Sequence, residues 1–379
     1  MTRRSSTASP SILVLAGEPS GDAHAAAVMR AYTRRHPSTG WSGMGGPAMA
    51  DAGAELIATL DRLAVMGFAE VVPRLPYFLR LRRRVERILE EDRPDAVLLV
   101  DYPGFNLRIA ESAHRRGIPV VYYIAPQVWA WKKGRAARLS QTADRIAVIL
   151  PFEVEHFTEH GGRATYVGHP LLDRDDHVDS REAFLDRWGL DVDRRILALL
   201  PGSRGQEIDR HLTLFAEAAQ RVIDRRPDVL PVFSRAPSVS AIPFHATGFP
   251  VVEDTWALQR HACAALVKSG TGTLETALEG TPLVVAYRTS GLTAAIGRRV
   301  VDVEHIGLPN LVAGRRIVPE FIQEDATPES LADAVIPLLE DGSTARSTQI
   351  EELAGVRGGL GARGAADRVA DLLDEVVAS

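Results

Sequence analysis

The chain has 379 residues, 45% of them hydrophobic, which is enough for two buried cores and too long for one ordinary domain. Its formal net charge of -5 leaves no footprint for nucleic acid. Cys263 is the only cysteine, which excludes a disulfide framework and a cysteine-built zinc site and suits a reducing compartment.

"SILVLAG" at 11–17 reads as a first β-strand. Arg3 and Arg4 before it imitate a signal peptide, but the apolar run is short and Glu18 and Asp22 follow at once. In the next turn Ser20 or Asp22 suits an N-cap, a role less natural for Glu18. "GMGGPA" at 43–48 fits G-x-G-x-x-A, yet no clean strand is read before it and Pro47 interrupts it. "LAVMGFAEVVPRLPYFLRLRRRVERIL" at 63–89 sets Met66, Phe68, Tyr77 and Phe78 among Arg80, Arg83 and four further arginines. Two readings stand: a strip facing an anionic membrane, or a helix with Phe78, Val85, Ile88 and Leu89 inward and a solvated basic face. No stretch reaches the roughly eighteen apolar residues of a membrane span.

"DAVLLVD" at 95–101 puts Asp101 at a strand's C-terminal end, before a Pro/Gly turn and Asn106. Ligands of open α/β sheets bind beyond that end, so Asp101 suits a general base; an Asx-turn is the plainer alternative. "IPVVYYIAP" and "RIAVILPF" continue the strand–helix rhythm. "HFTEH", His156 to His160, matches a zinc-protease pattern, but Pro151 and Gly161–Gly162 leave only a short surface helix. Residues 168–179 are acid-rich, lack a strand and read as a linker.

The alternation then restarts near residue 195, with "RILALLPGS", "DVLPVFS", "AALVKSG" and "TPLVVAY" as its strand runs. "RILALLPGSRGQEID" at 195–209 ends a strand in a Gly202–Ser203 turn with Arg204 beyond it. That arginine can pair with a phosphate, or simply with Glu207 on the surface. In "KSGTGTLE" at 268–275, Ser269, Gly270, Thr271 and Gly272 offer N–H groups and hydroxyls at a helix N-terminus, where the dipole favours phosphate. Glu275 stands where a dinucleotide fingerprint wants its third glycine. It either points past the phosphate to a ribose diol or merely complements the dipole. Neither a P-loop nor a G-x-S-x-G elbow occurs. Apolar strands alternating with helices twice over give an α/β chain of two doubly wound Rossmann-like domains. A Gly-rich stretch and the amphipathic "AADRVADLLDEVVAS" close the chain.

The set "GEPSGD", "LAVMGFAEV", "VDYPGFN", "APQVWAWKKGR", "LPFE", "GHPL", "LLPGSRGQEI", "SGTGTLE" and "LPNLVAGRRIVPEFIQ", in that order over residues 17–323, resembles the lipid-A-disaccharide synthase family. The resemblance implies a GT-B glycosyltransferase, its two Rossmann-like domains facing across a cleft. Residues 1–172 would take the acceptor and face the membrane, 173–352 would bind the UDP-sugar, and 353–379 would be a helical tail packing back on the first domain. The implied reaction joins UDP-2,3-diacylglucosamine to 2,3-diacylglucosamine 1-phosphate with inversion, giving a β-1,6 disaccharide 1-phosphate and UDP.

The resemblance also implies residue roles. Asp101 would be the base. Ser203, Arg204, Ser269, Gly270 and Thr271 would hold the UDP diphosphate, Glu275 the ribose, and Asn310 and Gln323 the UDP side. Glu18, Ser20 and Asn106 would lie on the acceptor side, and Met66, Phe68, Tyr77, Phe78, Arg80 and Arg83 toward the inner membrane, on its cytoplasmic side. No metal, cofactor or nucleic acid is implied, and a homodimer is admitted. Ala125, Gly272 and Gly307 depart from the family's usual serine, alanine and serine, and "GDAHAA" lacks a glycine often found in that helix. Another UDP-sugar enzyme of this fold, such as a UDP-N-acetylglucosamine transferase or 2-epimerase, and a non-catalytic UDP-sugar or membrane-binding protein remain as alternatives.

Overall fold

The computed structural model describes residues 9–60, 68–126, 133–174, 179–289 and 304–378. Met66 lies outside them, and Phe68 is described only as the first residue of a helix. The chain divides into two compact units, Met1–Arg174 with Ala362–Ser379, and Asp175–Gly361.

Among the described residues the first unit has seven strands: Ser11–Ala16 (β1), Gly40–Gly45 (β2), Ala54–Thr59 (β3), Ala96–Val100 (β4), Val120–Tyr123 (β5), Arg145–Val148 (β6) and Ala164–Tyr166 (β7). They are all parallel, in the order β3-β2-β1-β4-β5-β6-β7. Successive side chains of a strand point to opposite faces, so a central parallel strand is apolar throughout. Leu13, Leu15, Val97 and Leu99 enter one core with Leu81, Val85 and Leu89 of the helix Phe68–Glu91. Ile12, Val14, Ala96 and Leu98 enter the other, with Val28, Met29 and Tyr32 of the helix Pro19–Arg35 and Val369, Leu373 and Val376 of the helix Ala365–Val377.

The second unit has six strands among the described residues: Arg195–Leu200 (β8), Val229–Ser234 (β9), Val251–Val252 (β10), Ala264–Lys268 (β11), Leu283–Tyr287 (β12) and Glu320–Ile322 (β13). They too are parallel, in the order β10-β9-β8-β11-β12-β13. The helix Gly205–Arg225 turns Leu212, Phe215, Ala219 and Val222, three or four residues apart, into its core.

The expected tail from 353 begins later. Thr344–Gly359 is one helix of the second unit, anchored by Leu353 and Val356, and the chain enters the first unit only at Ala362. There the Asp173 carboxylate accepts the N–H groups of Gly364 (2.6 Å) and Ala365 (2.9 Å), capping the final helix.

In each sheet the strand order reverses at the first strand. β1 lies between β2 and β4, and β8 lies between β9 and β11. Loops leaving neighbouring strands at such a point go to opposite faces and open a crevice at the strands' C-terminal ends.

Candidate active site

In the first unit the switch point is formed by Gly17–Glu18 after β1 and Asp101–Tyr102 after β4. Asp101 (φ 47°) and Tyr102 (φ 50°) are both left-handed, a conformation non-glycine residues hold only when their surroundings impose it. Those surroundings are specific. The Asp101 N–H donates to Tyr123 O (2.9 Å), and its carbonyl accepts the Asn106 amide (2.8 Å) and the Tyr122 hydroxyl (2.7 Å). The Asn106 amide also donates to Leu15 O and Val100 O, each at 3.2 Å, tying the ends of β1 and β4 together. Burial, with the nearby Asp101 charge, pushes the Tyr122 phenol well above its ordinary range, so it stays a neutral donor. Asn106 is fully buried. It was expected on the acceptor side; the structure makes it the group that fixes the Asp101 backbone.

Glu18 occupies the N-cap position of Pro19–Arg35 without a side-chain cap bond, and Ser20 is exposed inside the helix. The N-cap is therefore neither Ser20 nor Asp22. Tyr102 lies over Gly17, whose added Cβ would fall 2.3 Å from the ring. Burial, then the charges of Glu18 and Tyr77, raise the Tyr102 phenol above its ordinary value.

Asp22 is 4% exposed and points elsewhere. Its oxygens accept the N–H groups of Gly46 (2.7 Å), Ala48 (3.0 Å) and Met49 (3.1 Å). The first half of "GMGGPA" thus is the end of a strand, β2, and a short helix Pro47–Asp51 follows, but the chain's own carboxylate fills the N-terminus that a pyrophosphate would need.

On Phe68–Glu91, Tyr77 and Phe78 meet edge to face at 5.7 Å and pack partly buried on the core, while Arg80 and Arg83 are exposed. Both aromatics are thus half-buried against the core, where the membrane-facing expectation had them outward, and Tyr77 keeps a side toward solvent. A groove of about 970 Å³ runs between this helix and β3, lined by Leu56, Tyr77, Arg80, Arg83, Arg84 and Arg87. His156, in the short helix Glu153–Thr158, and His160 just beyond it set their rings 5.4 Å apart at a tilt of 51°. Among the described residues no three His, Cys, Asp or Glu side chains gather as metal ligands.

In the second unit the turns after β8 and β11 meet at the switch point. Gly202 (φ 124°) must be glycine, because a Cβ would lie 2.5 Å from a Glu207 oxygen. Glu207 accepts the Ser203 N–H (3.0 Å) and the Lys268 ammonium (2.8 Å), with Arg204 at 3.8 Å. Burial pushes the Glu207 carboxyl up, but the Lys268 bond and charge, the Ser203 N–H and Arg204 together hold it below the usual range. His211 is buried and its pKa lowered, chiefly by that burial. Its Nδ1 lies 2.8 Å from Glu207 O, and its Nε2 accepts the Arg288 N–H (2.9 Å), which fixes the neutral tautomer with the proton on Nδ1.

Several donors expected to face a ligand are already committed. The Ser269 N–H goes to Ala286 O (3.0 Å) and its hydroxyl to Ile306 O (2.9 Å). In the first turn of the helix Thr271–Leu278 the Thr273 N–H goes to Gly270 O (3.0 Å), the N–H groups of Thr271 and Gly272 stand at the helix mouth, and Glu275 lies half-buried one turn in. Asn310 is fully buried: its amide donates to Val318 O and Glu320, and its oxygen accepts the Ile317 and Val318 N–H groups. It shapes the loop instead of reaching a ligand. Gln323 (φ 55°) is left-handed at the end of β13, where its side chain accepts the Thr289 N–H (3.0 Å). Sequence reasoning passed over Tyr102, Tyr122 and Lys268; the apolar spacing around Tyr122 signalled only burial.

The Lipid-A-disaccharide synthetase family model matches residues 12–359. A lipid-A-disaccharide synthase of Geobacter sulfurreducens is 38% identical over 373 residues, covering 97% of both chains. One of Myxococcus xanthus is 40% identical over 375 residues, covering 97% of this chain and 98% of that one. Among solved structures, a putative UDP-N-acetylglucosamine 2-epimerase from Listeria monocytogenes aligns with a TM-score of 0.66 at 14% identity, covering 97% of this chain and 96% of that one. The glycotransferase of kitacinnamycin aligns with a TM-score of 0.67 at 19% identity, covering 97% and 99%. The structural likenesses establish the GT-B fold of two Rossmann-like domains. With the family match spanning nearly the whole sequence, the chain belongs to the lipid-A-disaccharide synthase family.

Proposed function

We propose that the two switch points divide the family's reaction between them. The chain is a glycosyltransferase that forms the lipid A disaccharide from UDP-2,3-diacylglucosamine and 2,3-diacylglucosamine 1-phosphate, releasing UDP. The observation that carries the division of labour is the Asp101 backbone, held in a left-handed turn at the end of β4 by Asn106 and Tyr122. Strain of that kind is kept where a side chain must be aimed.

Asp101 takes the proton from the acceptor's 6-hydroxyl as that oxygen attacks the anomeric carbon. The bond to UDP breaks in the same displacement, so an α-linked donor gives a β-linked product without a covalent intermediate. Arg204 and the first-turn N–H groups of Thr271–Leu278 meet the charge on departing UDP, with Ser203 and Gly270 shaping the turns. Glu275 holds the ribose hydroxyls, and Gln323 borders the same side. Ser269 and Asn310 act through the backbone they fix. Glu18 and Ser20 lie toward the acceptor.

No helix among the described residues is long and apolar enough to cross a membrane. The outward arginines Arg80 and Arg83 and the groove beside them suit anionic headgroups at the cytoplasmic face of the inner membrane. Met66 and Phe68 would add apolar contact.

The test is product formation in detergent with EDTA, followed by mass spectrometry. Asp101→Asn should lower kcat roughly 10²–10⁴-fold while UDP binds as before. Equal turnover in both proteins would remove Asp101 as the base. UDP binding without any disaccharide would move the chain to another UDP-sugar chemistry.

A further inference from the structure

We propose that Lys268 is a diphosphate-binding residue, its ammonium placed at the second unit's switch point to offset Glu207 and present a positive charge to the leaving group. This rests on the reading that the second unit holds UDP.

Lys268 ends β11, and Glu207 lies in the first turn of the helix that follows β8. The two strands are neighbours, so the side chains meet where the two candidate phosphate turns converge. They pair at 2.8 Å with each side chain only 16% exposed. The Lys268 Nζ lies 3.4 Å from where a Cβ on Gly270 would stand, and 5.8 Å from the Tyr287 ring centroid. It is therefore pinned against the Ser269–Gly270 turn.

Glu207 makes this placement consequential. Its carboxylate takes the Ser203 N–H and sets a negative charge at the mouth of Gly205–Arg225, where a phosphate would otherwise be drawn. Arg204 is 61% exposed and 3.8 Å away, a charge on a long, solvated arm. Arg204 and Glu207 alone cancel; with Lys268 the trio carries one net positive charge. The chain's usage points the same way. Only three of its 44 basic residues are lysine, yet lysine stands here. A compact ammonium fits a slot between Glu207 and the Gly270 turn that a planar guanidinium would overfill.

Calorimetric titration of the full chain with uridine, UMP and UDP tests the assignment. Lys268→Met should leave uridine within about twofold and weaken UMP several-fold and UDP roughly ten- to a hundredfold. Adding Glu207→Gln should restore most of the UDP affinity, since the local charge returns to its original value. Glu207→Gln alone, which keeps an acceptor for the Ser203 N–H, should bind UDP at least as tightly as the wild type. It serves as the test if Lys268→Met fails to fold. A uniform loss across the three ligands, no loss for UDP, or weaker UDP binding in Glu207→Gln would overturn the role of Lys268. Failure of the wild type to bind UDP would instead overturn the site reading beneath it.

Discussion

Gly17 and Gly272 both sit beside a candidate ligand turn, and the structure constrains them in opposite ways. A methyl on Gly17 would enter the Tyr102 ring at 2.3 Å, and Tyr102 shares its strained turn with Asp101. Gly17→Ala is expected to cost about 1–3 kcal/mol by overpacking and to lower turnover at least tenfold by shifting Asp101. A methyl on Gly272 would meet Val267 at 3.7 Å and Leu200 at 3.9 Å, both ordinary contacts in a helix. Gly272→Ala should therefore stabilise by about 0.4–1 kcal/mol, chiefly by restricting the unfolded chain. Thermal unfolding of the two variants should move the midpoint in opposite directions; a shift of the same sign in both would refute the packing argument.

Elements were legible in the sequence where one strand suffers both faces of burial. β1, β4, β5, β6, β8, β9, β11 and β12 are such runs and are read directly. β2 carries Gly40, Gly43 and Gly45, β3 is a half-exposed edge, and β7, β10 and β13 are three residues or fewer. Their apolar signal is too weak or too short to register. The site followed the same division. Glu18, Asp101, Arg204, Gly270 and Glu275 were visible because a turn after a strand is a local pattern. The burial of Asn106 and Asn310 and the Glu207–Lys268 pair, 61 residues apart, depend on which strands become neighbours. The final helix joins both cases: its amphipathic face was legible in the residues, while its docking on the first unit came only as an implication of the family resemblance. It meets Pro19–Arg35 through Leu373 and Val376, with Arg34–Asp367, Arg35–Asp371 and His36–Asp374 along the rim. Exposed pairs of this kind contribute little, so the apolar face should dominate. Leu373→Ala should cost about 2–5 kcal/mol, and loss of the Asp173 cap about 0.5–2 kcal/mol, in urea unfolding. If Leu373→Ala were silent, the helix would not be part of the first unit's core.

Across the whole molecule, falling pH should weaken the first unit more than the second. His24 and His169 belong to the first unit, and burial holds each at about 4, below the ordinary 6.5. Arg174 adds to the lowering of both, Asp173 opposes it at His24, and His24 counts against His169. The His169 Nδ1 accepts the Leu171 N–H, a bond that only the neutral ring can keep (3.2 Å). Between about pH 6.5 and 4 the unfolded chain binds protons that the folded first unit refuses, so stability falls as pH falls through that window. For His169 the loss approaches about 3 kcal/mol at the acid end. In the second unit burial lowers the pKa of one histidine, His211, in the same sense, and Glu207 is a carboxyl held below its ordinary range. Its contribution is complete above the unfolded carboxylate value and disappears only as pH drops through the lower folded value. Two such histidines stand in the first unit against one in the second, so hydrogen exchange followed by mass spectrometry at stepped pH should show the strands β1 and β4 losing more protection between pH 6.5 and 4 than β8 and β11. His24→Gln with His169→Gln should flatten the first unit's dependence between pH 6.5 and 4 and leave the second unit's unchanged. A larger loss in the second unit, or an unaltered first-unit slope in the double variant, would show that His24 and His169 do not govern the first unit's acid stability.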